Sequence, residues 1–218
     1  TLMRNLVRDG FCYYRQHLRL VLCTALAYFG LMFVAGVLVT LPGGRELQGS
    51  LEAEVIADFE EAFPWLLTAP AALLVVYIFL LNLVLGTMLY ITLPGAVFFP
   101  LAPLAVFLRA TLWGIFFVPR EPLALLVALP TILVEGFGYV LAVVPSLRLG
   151  LSWLLPRLAF KQEGLSRRGA FRRGLSELGR AYLIVMIVLL VAAAIEVGSI
   201  EVMRLLSSIS WEHAELLR

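Results

Sequence analysis

Long apolar runs alternate with short polar punctuation along the chain. Residues 20–41 carry no charge and are closed by Pro42-Gly43-Gly44, while 65–93 hold Asn82 as their strongly polar side chain and end at Pro94-Gly95. Residues 96–118 follow with Pro100, Pro103 and Arg109, then 123–151 with Pro130, Glu135 and Pro145, and finally 181–200 with Glu196 near the far end, where it is expected to reach water. Each run has roughly 20 residues or more, the length a helix needs to cross about 30 Å of hydrocarbon. The pattern therefore predicts an all-α, polytopic membrane bundle of five transmembrane helices. No charge lies near Pro94-Gly95, so the break reads as a tight turn buried in protein or a short re-entrant bend.

Three polar stretches lie between or before these runs. Residues 1–19 set Arg4, Arg8, Arg15 and Arg19 among Leu, Phe and Tyr, either a basic amphipathic segment at the membrane face or a plain positive flank. In 46–63, Glu46, Glu52, Glu54, Asp58, Glu60 and Glu61 are interleaved with Leu47, Leu51, Val55, Phe59 and Phe63 at steps of four. This predicts an acidic amphipathic helix capped by Ser50, acting as a lid, a docking surface or a solvated helix resting on the membrane. Residues 157–180 carry Arg157, Lys161, Arg167, Arg168, Arg172, Arg173 and Arg180, with Phe160, Leu165, Phe171, Leu175 and Leu178 as an intermittent apolar face. A surface helix is expected there, with Arg167, Arg168, Arg172 and Arg173 touching anionic lipid headgroups. The tail to Arg218 is amphipathic at most.

Composition confirms the class and adds an orientation. With 61% hydrophobic residues, 15% charged residues and a mean hydropathy of +0.96 over 218 residues, the chain is too apolar for a soluble domain. Several spans exclude one cleaved signal on a soluble body, and 1–218 reads as a single integral membrane domain. An N-terminus inside places Arg4, Arg8, Arg15, Arg19, Arg148, Arg157, Lys161, Arg167, Arg168, Arg172, Arg173 and Arg180 in the cytoplasm. Arg45, Arg120, Arg204 and Arg218 fall outside, so twelve cations oppose four. The positive-inside rule then predicts N-terminus in, C-terminus out and the acidic segment external. Sixteen of the 17 basic residues are Arg, which together with the Leu, Ala, Val and Gly load reads as a GC-rich prokaryotic genome and hence a prokaryotic plasma membrane.

The candidate chemistry is confined to the hydrocarbon. A charge at mid-membrane costs at least about 2.5–3.5 kcal/mol, so such residues face the bundle interior and pair. From the turn near Arg120, Arg109 lies roughly 16 Å down and Glu135 roughly 22 Å down, and Asn82 lies about 24 Å from the same side. Asn82, Arg109 and Glu135 are thus expected to form one intramembrane cluster, with Arg109 paired to Glu135. Either the cluster pins the helices in register, or Glu135 takes up a proton or Arg109 attracts an anion along a pathway. Gly138, Ala142, Ser146 and Gly150 follow Glu135 in near-regular steps, giving one helix face almost no bulk, so it can admit a second backbone closely. Cys12 and Cys23, about 16 Å apart on one helix, cannot bridge each other. His17 and His213 fall on opposite faces, so no histidine-based metal site or triad forms, and Glu135 alone makes no protease. No catalytic residue, metal, cofactor or nucleic-acid partner is expected.

Over roughly 82–150 the chain resembles the stage II sporulation protein M (SpoIIM) family of integral membrane proteins. That family has a Pro-His-Gly-x-x-Glu motif followed by small residues and a Gly, and Pro130, Glu135 and Gly150 stand at matching spacing. An Asn-Gly pair with a further Gly is similar to Arg109, Ala110 and Gly114, and Asn82 matches a polar position one helix earlier. Thr131 and Ile132 replace His-Gly, and Arg109 replaces Asn. The resemblance implies a five-span scaffold that, in spore formers, holds peptidoglycan-degrading partners at the engulfing septum. The leading expectation is a non-enzymatic scaffold or channel-like subunit that assembles with itself or partners through the small face. The alternative is a small transporter, lipid-translocating protein or permease subunit using Arg109 and Glu135. An ATPase or a cell-wall hydrolase is the expected kind of partner.

Overall fold

The structure, a computed structural model, describes residues 2–46, 48–50, 69–116, 122–160 and 165–216. Among these the elements are all helical: α1 (Leu2–Gln16), α2 (Leu18–Val39), α3 (Ala71–Val97), α4 (Leu101–Phe116), α5 (Pro122–Leu154), the single turn α6 (Pro156–Ala159) and α7 (Arg167–Leu216). Four of them, α2, α3, α5 and α7, are long and apolar enough to cross a membrane, which makes the chain a multi-pass membrane protein. The expected third span is α4, whose 16 residues reach only about 24 Å. Its start lies later than expected because α3 runs on through Pro94-Gly95. The chain turns instead at the extended Phe98, half exposed, so the turn is not buried in protein.

Helix α5 is the axis of the bundle. About 61% of its apolar window is buried, against 28–33% for α2, α3 and α7. Every residue from Tyr139 to Ser146 is buried, so this stretch has no lipid-facing side at all, as expected of a helix that is apolar all round. Helix α7 makes the largest interface with it. The two run antiparallel in a constant register: Gly174 meets Ser152, Gly138 meets Leu189, and the Ser199 hydroxyl donates to the Val127 carbonyl at 3.0 Å.

A proline in the buried stretch decides how α1 docks. Pro145 has no N–H, so the Leu141 carbonyl lacks its helical donor. Tyr14 of α1 supplies one, its hydroxyl lying 3.1 Å from that carbonyl and 3.3 Å from Ala181 O of α7. Tyr14→Phe is therefore expected to cost about 1–3 kcal/mol by leaving a buried acceptor unpaired. In a Pro145→Ala background, where the helix restores its own bond, the same change should cost less than half as much. A double-mutant cycle on thermal unfolding reads the difference. Gly10, Tyr13 and Tyr14 pack inward while Arg4, Arg8 and Arg15 stay exposed, so α1 is an amphipathic helix held against α7 rather than a free flank.

Helix α3 changes pitch in mid-span. From Leu81 to Thr92 its hydrogen bonds run i→i+5. Steps of five then fall near one face, and Asn82, Thr87 and Thr92 are all buried. On an α-helix the same steps would rotate by about 140° each and scatter the three around the axis. The wide turn thus gathers the polar side chains of α3 toward the protein and leaves Leu85, Met88 and Leu89 exposed.

The polar stretches divide differently. Residues 51–63 of the expected acidic helix lie outside the described residues, as do Lys161 and Arg120. Arg167, Arg168, Arg172, Arg173 and Arg180 are exposed, but they do not form a separate surface helix. They occupy the first turns of α7, which continues unbroken into its apolar span. Ala170 and Gly174 are buried there, Gly174 against Ser152 and Leu149 of α5, so these turns pack into the bundle.

Candidate functional site

The expected polar residues meet between α3, α4 and α5, around a side chain that the sequence reading missed. The Tyr139 hydroxyl accepts a hydrogen bond from Arg109 Nη2 at 2.6 Å, donates to Glu135 Oε1 and lies 3.0 Å from the Asn82 side-chain oxygen. A phenol has one proton and the carboxylate is the stronger acceptor, so Asn82 is best satisfied by presenting its amide N–H to the phenol oxygen. Arg109 Nη2 is 3.7 Å from Glu135 Oε1, a looser ion pair than the bridge through Tyr139. The guanidinium also covers the Tyr139 ring, 4.0 Å from its centroid, and approaches Trp113 at 5.2 Å. The signal for Tyr139 was present in the sequence: it stands four residues after Glu135, on the same helix face.

Each helix contributes for a local reason. Gly86 in the widened part of α3 leaves room for the Tyr139 ring, which a Cβ there would meet at 3.0 Å. Gly136 leaves room for Tyr28 of α2, whose hydroxyl is buried without a hydrogen-bond partner. Glu135 is 2% exposed. Nearer the α1 end, Thr92 hydrogen-bonds Tyr182 of α7 and lies 2.7 Å from the Ser146 hydroxyl, which also bonds the Ala142 carbonyl at 2.6 Å.

The small face of α5 is spent within the chain. Gly138 packs on Leu189 of α7, Ala142 and Ser146 are fully buried, and Gly150 abuts the Gly95 carbonyl and Phe99. This corrects the expectation that a second copy docks there, because close backbone approach has already been used by α3 and α7. Glu196 is part-buried, its Oε2 enclosed without a partner while the residue keeps intermediate exposure.

At the basic end, Arg148 donates to Glu177 at 3.1 Å, and Arg173 lies 3.6 Å from the same carboxylate. Both guanidiniums cover the Phe160 ring. Burial, then the nearby Arg148 charge, holds His17 below the usual imidazole range. His17 is thus neutral in the fold, and protonating it below about pH 6.5 disfavours the folded state, so its contribution is lost as pH falls. Among the described residues no three metal-ligating side chains gather.

A family model described as SpoIIM, Stage II sporulation protein M, matches residues 23–198. The match runs from α2 to the far part of α7, well beyond the stretch from Asn82 to Gly150 that carries the motif. No curated protein and no solved structure matches the chain. With a match over most of its length and four helices able to cross a membrane, the chain belongs to the SpoIIM family of membrane proteins.

Proposed function

We propose that the protein is a non-enzymatic scaffold subunit of a cell membrane, built as five crossings with the N-terminus in the cytoplasm and the C-terminus outside. The fifth crossing is α4. It starts level with Gly95 and Gly150 and ends near Gly114, which touches Met32 and Ala35 of α2, so it connects the two ends of the bundle despite its length. A crossing of about 24 Å calls for local thinning of the bilayer. The orientation rests on the cation count at the end formed by α1, Arg148 and the start of α7.

The observation that carries the scaffold reading is the solid centre of the bundle. The stretch from Tyr139 to Ser146 is enclosed on all sides, and Arg109, Glu135 and Asn82 are joined through the Tyr139 hydroxyl across three helices, with Arg109 Nε left unpaired. Such a core fixes helix register and leaves binding to other parts of the chain: by its charge the acidic sequence 46–63 suits an external partner such as a cell-wall hydrolase, and the basic start of α7 suits an ATPase or lipid. The test is Glu135→Gln in cells and in reconstituted vesicles. It should weaken the charge-assisted bond by about 1.5–3 kcal/mol and lower the yield of assembled complex. Intact assembly with lost solute or lipid movement would favour the second reading, a transporter or permease subunit, which the buried polar line of α3 supports.

The exposed arginines carry a further expectation. Replacing Arg167, Arg168 and Arg172 together by Gln should remove about 3 kcal/mol of attraction to an anionic surface, near 1 kcal/mol each. Native mass spectrometry should then show the preference for bound anionic over zwitterionic lipid largely lost.

A further inference from the structure

Helix α3 contains a run of backbone that its own sequence does not explain. From Leu81 to Thr92 the hydrogen bonds run i→i+5, and the Leu93 N–H closes the run on the Met88 carbonyl. Such turns are rare and come mostly one at a time inside α-helices. Pro94 disturbs the last of them, at the Tyr90 carbonyl, and leaves the others untouched. A run of 12 residues is therefore held by its neighbours.

Two contacts hold it. At one end the Asn82 side chain lies 3.0 Å from the Tyr139 hydroxyl of α5. At the other, the Thr92 hydroxyl lies 2.7 Å from that of Ser146, also on α5, and is hydrogen-bonded to the Tyr182 hydroxyl of α7. Tyr139 and Ser146 are seven residues apart, about 10.5 Å of α-helix. Asn82 and Thr92 are ten apart and would need about 15 Å at the same rise. A mismatch of about 4.5 Å is more than hydrogen bonds absorb, so both contacts form only while α3 is wound in its wider, shorter turns.

The two ends are unequal. Asn82 meets the phenol that also joins Arg109 and Glu135, whereas Thr92 is held by two hydroxyls. Between them, Thr87 bonds the Leu83 carbonyl of its own helix at 2.6 Å and asks nothing of its neighbours. Tyr182 stands two residues after Arg180, where the exposed basic start of α7 enters its apolar span.

We propose that Thr92, Ser146 and Tyr182 form a latch that sets the pitch of α3. When the latch opens, residues 81–92 rewind as α-helix, α3 lengthens by about 4 Å, and its turn into α4 slides along α5. The fold thus has a two-position element, and Tyr182 ties it to the basic start of α7, so a displacement of α7 there reaches the α3–α4 turn. The inference goes beyond the scaffold reading and does not rest on it, because the length of α3 is read with no partner present.

The experiment measures that length in the full chain in lipid nanodiscs. Cys12 and Cys23, both exposed, are replaced by Ser, and spin labels are attached through Leu73→Cys and Val97→Cys, two exposed positions flanking the wide turns. Electron–electron double resonance then gives the distance between the labels. Thr92→Val, which keeps the shape and deletes the hydroxyl, should lengthen it by about 4 Å or add a second population at that distance. Ser199→Ala, which deletes a hydrogen bond between α7 and α5 away from α3, should leave it unchanged. Should Thr92→Val fail to fold, Tyr182→Phe takes its place under the same criterion. An unshifted distance in the latch variant, or an equal shift in Ser199→Ala, overturns the proposal.

Discussion

Arg109→Met is expected to destabilise the protein by about 3–5 kcal/mol, the cost of leaving a buried charge without its partner. Glu135 is 2% exposed, and among the described residues Arg109 is the cation at its side. Methionine preserves much of the packing volume of the arginine stem against Trp113 and Tyr139, so the loss reports the missing charge rather than a cavity. The double variant Arg109→Met with Glu135→Met should recover most of the stability, because it removes both charges and their desolvation together. Unfolding in mixed micelles, read for both single variants and the double, measures the coupling. Additive losses would show that the pair is not energetically linked. Tyr139→Phe belongs in the same series and should fall between, since it deletes the phenol that joins Arg109, Glu135 and Asn82 but leaves the ion pair at 3.7 Å.

Gly150→Ala and Gly114→Ala are expected to cost about 3 kcal/mol each, at the upper end of ordinary overpacking. At Gly150 a Cβ would collide with the Gly95 carbonyl and meet Phe99 Cα at 3.0 Å, and at Gly114 it would collide with the Met32 carbonyl. Backbone cannot turn aside as a side chain does, so α5 must move off the α3–α4 turn, or α4 off α2. Gly138→Ala meets only the end of Leu189, at 2.7 Å, and should cost no more than about 1 kcal/mol once that side chain shifts. Gly30→Ala and Gly198→Ala have open space around them and should stabilise by about 0.4–1 kcal/mol through the unfolded chain. The yield of folded protein and its unfolding temperature give the order. Equal effects at Gly150 and Gly30 would mean that the close backbone approach at Gly150 contributes nothing.

The length and spacing of the apolar runs were enough to establish a polytopic helical membrane protein, the positions of α2 and α5 to within a few residues, and the family spacing of Pro130, Glu135 and Gly150, whereas α7 begins at Arg167, well before its apolar run. Helix rise alone also put Asn82, Arg109 and Glu135 at compatible depth, because axial position accumulates along one helix and needs no knowledge of its neighbours. Which helix lies beside which, and which way each face turns, is set by packing between segments distant in the chain. That is why Tyr139 emerged as the bridge only in the fold, although it shares a face with Glu135, and why the small face proved to be filled by α3 and α7. The widened turns of α3 belong here as well: read with α-helical periodicity, Asn82, Thr87 and Thr92 scatter, and only the i→i+5 geometry lines them up. The same limit applied to Glu196, of which the packing of α7 encloses one carboxylate oxygen while the residue stays part-exposed.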